Sequence, residues 1–263
     1  MSVTRQSVLI TGAGAGIGRS TALQFASRGY LVCATDVDAD GLQTLAAEAP
    51  TNSTVTAQLD VTDPAQWEAV LGEFMKRTSG RLDVLINNAG ILRAGKFVDI
   101  PLEAQEAIMR VNVDGVMNGC YRSYPYLKAT PGAQVVNVCS ASAIYGQPEL
   151  AAYSASKFAV RALTEALDIE WRRDGIRVFA VWPLFVRTAM IEGERTGSMA
   201  SLGVHLTADD VARRIFETTQ PARFPFPRPT HIPVGRQASM MFNTAQLAPL
   251  RVLRAVNRRI ARQ

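Results

Sequence analysis

The feature that most constrains the fold is a cluster of glycines, TGAGAGIG, at residues 11–18. The run before it, SVLIT at residues 7–11, is short and apolar, which predicts a buried strand. The apolar spacing from Ile17 to Ser27 predicts a helix directly after it. The chain must therefore turn sharply from a buried strand into a helix.

The positions of the glycines indicate what this turn binds. Gly12 permits the sharp turn, while Gly16 and Gly18 let backbone amides and the helix N-terminus approach a phosphate closely. Glycines at this spacing between a strand and a helix are typical of dinucleotide-binding turns. The residues of the turn that we expect to contact a cofactor are Gly12, Ala15, Gly16, Ile17 and Gly18.

Strand and helix patterns alternate along the rest of the chain. Further strands are predicted at about 30–36, 53–60, 82–90, 133–140 and 176–183, with a weaker candidate at 230–235. Helices are predicted at about 38–49, 63–77, 101–128, 153–172 and 207–219. Because the strands are apolar throughout, they predict a parallel sheet that is covered on both faces. We expect an α/β fold, a single Rossmann-type doubly wound parallel sheet in one domain over residues 1–263.

An acidic residue ends the second predicted strand and indicates which cofactor the turn binds. Asp36 lies 24 residues after Gly12, near the distance at which a carboxylate meets the adenosine ribose. A carboxylate there accepts hydrogen bonds from the ribose hydroxyls and repels a 2′-phosphate. Arg19 lies close to the turn in the sequence, and it is the one basic residue whose charge would favour NADP(H). We therefore expect NAD(H) rather than NADP(H).

A tyrosine and a lysine lie four residues apart in the run AAYSASKFAV, at residues 151–160. If the run is helical, Tyr153 and Lys157 are neighbours on one face of the helix. The positive charge of the lysine would stabilise a phenolate and lower the pKa of the tyrosine. The pair is therefore a candidate for acid/base chemistry.

Three motifs now stand in a fixed order: TGAGAGIG, NNAG at residues 87–90 and YSASK at residues 153–157. Together they resemble the short-chain dehydrogenase/reductase family, over about residues 5–190. The resemblance implies that Tyr153 is the catalytic acid/base and Lys157 its partner. It implies that Ser140, rather than Ser142, polarises the substrate oxygen, and that Asn112 holds a water of a proton route. The further cofactor contacts that it implies are Asp60, Val61, Asn87, Ala89, Gly90, Pro183, Val186 and Thr188, besides Tyr153 and Lys157.

The residues expected to surround the substrate are apolar, and one of them differs from the pattern of the family. Leu184 follows a proline where many members have glycine, so its side chain should narrow the pocket. We expect residues 189–206 to form a lid over the substrate. The expected substrate contacts are Ile144, Tyr145, Leu150, Leu184 and Met190. This lining favours a hydrophobic secondary alcohol or its ketone. The alternatives are a 3-oxoacyl-thioester ketoreductase and a non-catalytic nucleotide-binding or scaffold protein.

The C-terminal segment is basic, in a chain of net charge +5. We predict a basic helical extension over residues 240–263, with Leu250, Leu253, Val256 and Ile260 near one face. Arg251, Arg254, Arg258 and Arg262 lie near another face. Such a helix would pack on its own domain or on a sister subunit, or contact a membrane surface peripherally. Nucleic-acid binding is not expected, because aromatic residues do not interleave with these arginines.

The remaining sequence features bear on assembly and compartment. The glycine-rich terminal strand that many family members use in tetramers is absent, so we expect a homodimer through helices 101–128 and 153–172, or else a homotetramer. The three cysteines, Cys33, Cys120 and Cys139, form no metal-ligand spacing and no disulfide framework. Together with the lack of a signal peptide or membrane-spanning run, this predicts a cytoplasmic protein without a metal.

Overall fold

The sheet is built from apolar strands that lie parallel to one another, in the order β3-β2-β1-β4-β5-β6-β9. The computed structural model describes residues 5–221 and 228–261. The strands are β1 (Ser7–Thr11), β2 (Leu31–Asp36), β3 (Thr54–Gln58), β4 (Val84–Asn87), β5 (Gln134–Val138), β6 (Arg177–Pro183) and β9 (His231–Val234). Two short strands outside this sheet, β7 (Val186–Arg187) and β8 (Leu206–Thr207), pair with each other. The parallel, doubly wound sheet predicted from the sequence is confirmed.

Helices cover both faces of the sheet. They are α1 (Gly16–Ser27), α2 (Ala39–Glu48), α3 (Pro64–Thr78), α4 (Leu102–Met109), α5 (Gly115–Ala129), α6 (Ala151–Glu170), α7 (Gly197–Leu202), α8 (Ala208–Thr219), α9 (Arg236–Leu247) and α10 (Leu250–Ile260). Alternate residues of one strand serve opposite faces: on β1, Val8 and Ile10 pack in the layer that contains Phe25, whereas Leu9 packs in the layer that contains Trp67. This explains why consecutive residues in the middle of β1 are all apolar.

Two predicted helices differ from the structure. The region 101–128 is not one regular helix, because residues Arg110–Asp114 form a π-helical turn between α4 and α5. The basic extension predicted over 240–263 is not one helix either: α9 ends at Leu247, and α10 begins after Pro249. Proline cannot donate a backbone hydrogen bond, which explains the break. Residues 262 and 263 lie outside the described residues.

The strand order positions the functional site. Strands β1 and β4 are neighbours, and from them the chain continues towards β3 on one side and towards β9 on the other. The carboxyl ends of parallel strands diverge at such a switch point and leave a crevice where ligands bind. Within residues 5–221 and 228–261, the helices are all too short or too polar to span a bilayer.

Candidate active site

A cavity of about 400 Å³ follows the carboxyl ends of the central strands. It begins beside the glycine turn, passes the end of β5 and ends under the segment after β6. The expected site residues that line it are Gly12, Ala15, Gly16, Ile17, Asp36, Asp60, Val61, Ala89, Gly90, Ser140, Leu150, Tyr153, Lys157, Pro183, Leu184, Val186, Thr188 and Met190. The structure therefore brings most of the expected residues to one cleft. Five of them lie elsewhere: Gly18, Asn87, Asn112, Ile144 and Tyr145.

The glycine turn is packed too closely for side chains. A Cβ at Gly12, whose φ is +66°, would lie 2.8 Å from the Cα of Ala89. A Cβ at Gly18 would lie 1.9 Å from the carbonyl oxygen of Gly12. Gly18 therefore closes the turn against its own backbone, whereas Gly12 and Gly16 face the cavity.

The N-terminus of α1 is suited to an anion. Helices α2, α3 and α8 are capped by the side chains of Asp38, Asp63 and Thr207, respectively. By contrast, Ala15 at the N-cap of α1 provides no side-chain acceptor, and the first turn has no acidic residue. The uncapped backbone amides and the positive dipole end of α1 therefore face the cavity, where Ala15, Gly16 and Ile17 line it. Helix N-termini of this kind bind phosphate. The residues present thus fit the pyrophosphate of a dinucleotide.

Asp36 is held in place at the far end of the cavity. Its Oδ2 accepts a hydrogen bond of 2.8 Å from the amide of Gly14, and its Oδ1 accepts one of 3.0 Å from the amide of Asp38. Arg19 points instead to α2, where its Nη2 lies 2.6 Å from a carboxylate oxygen of Glu48. In the described part of the chain, the cavity lining contains no arginine, and its one basic residue is Lys157.

The turn after β4 is fixed to the glycine turn by a residue that the sequence analysis missed. The side-chain amide of Asn88 donates to the carbonyl oxygens of Thr11 and Gly12, both at 2.9 Å, and Asn88 lines the cavity. Asn87, the residue expected from the motif, is buried below the cleft, where its amide donates to Asn137 at 2.9 Å. Since successive residues of a strand point to opposite sides, only one of the two asparagines can face the cleft.

The acid/base candidates meet near the middle of the cavity. Tyr153 and Lys157 lie one turn apart on α6, with the Lys157 Nζ 5.6 Å from the centroid of the Tyr153 ring. The ammonium group donates a hydrogen bond of 2.9 Å to the carbonyl oxygen of Val138. Ser140 follows β5, and its hydroxyl lies 3.1 Å from that of Ser142, which also lines the cavity.

Burial shifts the pKa of both Tyr153 and Lys157. It raises the pKa of Tyr153 to about 12, although a hydrogen-bonding interaction with Ser140 acts in the opposite direction. Burial also lowers the pKa of Lys157, because the charged ammonium is desolvated. The prediction that the lysine lowers the pKa of Tyr153 below its ordinary value is therefore wrong for the chain by itself. Loss of hydration outweighs the attraction of a charge several ångströms away.

Asn112 lies in the π-helical turn and is fully buried. Its Oδ1 accepts from the amide of Ile91 at 2.8 Å, and its Nδ2 donates to the carbonyl oxygen of Ile91 and to the Ser156 hydroxyl, both at 3.0 Å. The side chain is thus occupied by protein groups. It holds Ile91, which lines the cavity, rather than lining the cavity itself.

The substrate end of the cavity is apolar. Leu92, Leu150, Phe185 and Met199 form a small buried cluster, against which Tyr153 and Leu184 pack. Leu92 and Phe185 also line the cavity, although neither was expected from the sequence. Phe185 directly follows Leu184 in the sequence, and its apolar side chain made it a predictable substrate contact. Leu92 follows the NNAG turn without a comparable sequence signal.

Two of the expected substrate contacts are not brought to the cavity. Ile144 packs in the core layer that contains Trp67. Tyr145 has a buried hydroxyl with no hydrogen-bond partner among the described residues, and burial raises its pKa to about 12. Both follow a 3₁₀ turn at Ala141–Ala143, which directs them away from the cleft.

Glu149 joins the loop before α6 to residues 189–206, the segment that we expect to form a lid, and no sequence motif marks it. Its backbone has a φ of +65°, in the left-handed region that residues other than glycine rarely adopt. Its Oε2 accepts from the amide of Gly197 at 2.9 Å, and its carbonyl oxygen accepts from the amide of Gly95 at 2.9 Å. The lid is thereby tied to the loop that precedes Tyr153.

Two further kinds of side chain concern this site: possible metal ligands and cysteine thiols. Among the described residues, no group of three histidine, cysteine or acidic side chains could hold a metal ion. The three cysteines are free and buried. Burial raises the pKa of Cys139, which lines the cavity, to about 11, so its thiol stays protonated.

The sequence matches a family model described as short chain dehydrogenase over residues 6–198. It is 39% identical over 186 residues to the 3-oxoacyl-(acyl-carrier-protein) reductase of Thermotoga maritima, covering 70% of this chain and 75% of the relative. It is 34% identical over 186 residues to the meso-2,3-butanediol dehydrogenase of Serratia marcescens, covering 71% of this chain and 73% of the relative.

Solved structures show the same architecture. The 3-ketoacyl-(acyl-carrier-protein) reductase of Brucella melitensis, complexed with NADH, superimposes with a TM-score of 0.79 at 28% identity, over 87% of this chain and 96% of that chain. A short chain dehydrogenase/reductase of Burkholderia phymatum, in complex with NAD, gives a TM-score of 0.78 at 26% identity, over 94% of both chains.

Proposed function

The chain belongs to the short-chain dehydrogenase/reductase family of oxidoreductases, and we propose that it interconverts a hydrophobic secondary alcohol and its ketone with NAD(H), using Tyr153 as acid/base. The observation that carries this proposal is the meeting of Tyr153, Ser140 and Lys157 on one cavity that ends at Asp36. A bound nicotinamide cofactor supplies the hydride acceptor or donor. The side chains of the protein manage the proton and the charge on the substrate oxygen.

In the oxidative direction, the Tyr153 phenolate removes the proton of the substrate hydroxyl. Ser140 donates a hydrogen bond to the same oxygen and stabilises the charge that grows there. The Lys157 ammonium favours the phenolate over the phenol, although its hydrogen bond to Val138 keeps it at some distance from the ring. In the reductive direction, the same tyrosine returns the proton as a phenol.

The choice of NAD(H) rests on the charges around the adenosine end of the cleft. Asp36 presents a carboxylate there that the amides of Gly14 and Asp38 hold in place, and it lines the cavity. Arg19, the residue that could have favoured a 2′-phosphate, is paired with Glu48 on α2. A 2′-phosphate would therefore meet the negative charge of Asp36 without a compensating arginine among the described lining residues.

The choice of a hydrophobic substrate rests on the apolar cluster around Leu150. Leu184 takes the place of a smaller residue in this lining and narrows the space next to Tyr153. Such a pocket favours an apolar group on the alcohol carbon over a charged one. The residues that we assign to substrate contact are thus Leu150, Leu184 and Met190.

A 3-oxoacyl-thioester ketoreductase is the second candidate. It is favoured by the relative from Thermotoga maritima, which is named as such a reductase. The two reactions share the Tyr153 chemistry and differ in the length and polarity of the substrate. Turnover of acetoacetyl-coenzyme A exceeding that of simple ketones would favour this candidate.

The proposal also covers the oligomeric state of the protein and the cell compartment in which it works. The helices α4, α5 and α6 expose large apolar side chains, among them Leu102, Met117, Tyr121 and Ile169. We propose that this surface forms a homodimer, or part of a homotetramer. The three buried free thiols fit a reducing compartment, and we assign the protein to the cytoplasm.

The experiment that tests the reaction is a screen of the purified protein with aliphatic, aromatic, terpenoid and steroid alcohols. Each alcohol is offered with NAD⁺ and, separately, with NADP⁺, and formation of the reduced nicotinamide is followed by its absorbance. We expect turnover with apolar secondary alcohols and NAD⁺. Turnover confined to NADP⁺, or to thioester substrates in the reductive direction, would contradict the proposal.

A further inference from the structure

Charge is distributed very unevenly along the chain. All 23 acidic residues lie within the first 217 residues, whereas eight of the 28 basic residues lie between residues 218 and 263. The net charge of +5 therefore divides into −3 for the first part and +8 for the last. Such asymmetry indicates that the last part meets an anionic partner.

The eight basic residues of the last part are all arginines, and four of them lie on α10. Arg251, Arg254, Arg258 and Arg259 are all exposed, and none of them forms an ion pair within the part of the chain that the structure describes. The partly buried positions of this helix are Leu253, Asn257, Ile260 and the following Ala261. The arginines thus point to solvent, as four free positive charges on one helix.

The inner side of α10 is attached to two segments near the substrate end of the cavity, the loop before α6 and the start of α7. The Nδ2 of Asn257 donates a hydrogen bond of 2.7 Å to the carbonyl oxygen of Gly146, in the catalytic loop. Ala261 packs against the start of the lid helix α7, where a Cβ at Gly197 would lie 2.2 Å from the carbonyl oxygen of Ala261. Because α7 carries no charged residue, it does not neutralise the arginines.

Apolar side chains lie exposed beside the arginines. Val252 and Val256 are 49% and 46% exposed on α10, and Leu247, at the end of α9, is 89% exposed. On the same helix, Met240 is 67% exposed. Of the expected apolar face of α10, Val256 is therefore turned towards solvent, whereas Leu253 and Ile260 are turned towards the protein.

We propose that α10 and the end of α9 dock the protein on an anionic lipid surface. The free arginines match the charge of the headgroups, and the exposed valines and leucine match the layer beneath them. A nucleic acid would satisfy the arginines but not the apolar side chains. The one aromatic residue of the two helices, Phe242, packs on Trp182 and is not available for stacking on bases.

Docking through this face would place the lid next to the bilayer. Met190, which is 42% exposed and lines the cavity, marks the entrance on the lid side. The idea that apolar alcohols reach the cavity from the bilayer rests on the proposed function as well as on docking. Binding to the lipid does not rest on it and can be measured without turnover.

The experiment is co-sedimentation of the full chain with vesicles of phosphatidylcholine, with or without phosphatidylglycerol, at low and at high salt. We expect binding only to the vesicles that contain phosphatidylglycerol, with loss of binding at high salt. Each arginine near an anionic surface contributes about fivefold to binding, so the variant Arg251→Gln/Arg254→Gln/Arg258→Gln should bind roughly 100-fold more weakly.

The matched control removes the same charge elsewhere. Arg77, Arg172 and Arg213 are exposed, and each is paired with a nearby acidic residue. Arg77→Gln/Arg172→Gln/Arg213→Gln should bind vesicles as the unaltered chain does, and thermal melting checks that both variants fold. The proposal is overturned if vesicles bind both triple variants equally, or if neither the unaltered chain nor a variant binds them. It is also overturned if a DNA duplex binds more tightly than the vesicles, or if the α10 arginines affect only self-association.

Discussion

The two sides of the cleft are held together by different means. On the cofactor side, hydrogen bonds fix the polar groups, as in the bonds from the side chain of Asn88 to the carbonyl oxygens of Thr11 and Gly12 in the glycine turn. On the lid side, apolar packing dominates, and few polar contacts reach it; the bond from Gly197 to Glu149 is one of them. The cofactor side is therefore fixed by directional polar contacts between short motifs, whereas the lid side depends on apolar packing, which leaves no comparable motif in the sequence.

The largest expected effect on cofactor binding comes from a change within the glycine turn. In Gly18→Ala, the new Cβ would lie 1.9 Å from the carbonyl oxygen of Gly12, so the turn must open. We expect NADH binding, measured by fluorescence titration, to fall at least about 100-fold, which corresponds to more than about 2.7 kcal/mol. Thermal melting would report any accompanying loss of stability.

A glycine without neighbours serves as the control. Gly72 lies inside α3, and a Cβ there would meet nothing within 4 Å. Gly72→Ala should therefore stabilise the protein by about 0.5–1 kcal/mol and leave NADH binding unchanged. If Gly18→Ala bound NADH as well as Gly72→Ala does, the close packing of the turn would be irrelevant to the cofactor.

The second prediction concerns the acidic end of the cleft. Asp36→Ala removes a charged acceptor, whose hydrogen bonds contribute about 1.5–3 kcal/mol, so NADH should bind about 10- to 100-fold more weakly. The preference for NADH over NADPH should also shrink. Asp38→Ala, which removes the cap of α2, should cost about 1 kcal/mol of stability without changing that preference. Equal titration curves for NADH and NADPH with the unaltered chain would contradict the assignment.

The third prediction is a pH dependence that differs between the two reaction directions. Because burial raises the pKa of Tyr153 to about 12, the phenolate is scarce near neutral pH. For alcohol oxidation, kcat/KM should therefore rise with pH, by up to about tenfold per pH unit. For ketone reduction, the phenol is the required form, so kcat/KM should stay level near neutral pH and fall only at high pH. An oxidation rate that declines as the pH rises would be incompatible with this role of the tyrosine.

The smallest expected effect tests the attachment of the lid. Glu149→Ala removes the acceptor of the Gly197 amide, a contact of about 1 kcal/mol, so KM for the alcohol should rise about fivefold. Glu149→Gln keeps an oxygen that can accept this bond and should stay close to the unaltered KM. The same change in both variants would show that the carboxylate does not hold the lid.

The sequence was sufficient to predict the doubly wound sheet and the cleft at its centre. The strands are apolar on both faces, and glycines that cannot carry a side chain leave a local pattern. Asp36 was also predictable, because its position depends only on the end of one strand. In each case the signal in the sequence lies within a few residues, even where the contacts that require it come from distant segments.

The remaining differences arise from tertiary contacts. The motif NNAG does not show that Asn88, rather than Asn87, faces the cleft, since this depends on the pairing of Asn87 with Asn137 on β5. The π-helical turn at Asn112 accompanies bonds to Ile91, which is distant in sequence. Likewise, the raised pKa of Tyr153 results from burial by other segments, which the spacing to Lys157 cannot show.

The most direct test of the account is a comparison of Tyr153→Phe with Tyr145→Phe. Both remove a phenol hydroxyl from the same region, but only Tyr153 lines the cavity. Tyr153→Phe should lower the rate of alcohol oxidation by at least about 1,000-fold, within the range contributed by general acid–base groups, while NADH still binds. Tyr145→Phe should keep its activity. Substantial turnover by Tyr153→Phe, or an equal loss in both variants, would contradict the assignment of Tyr153 as the acid/base.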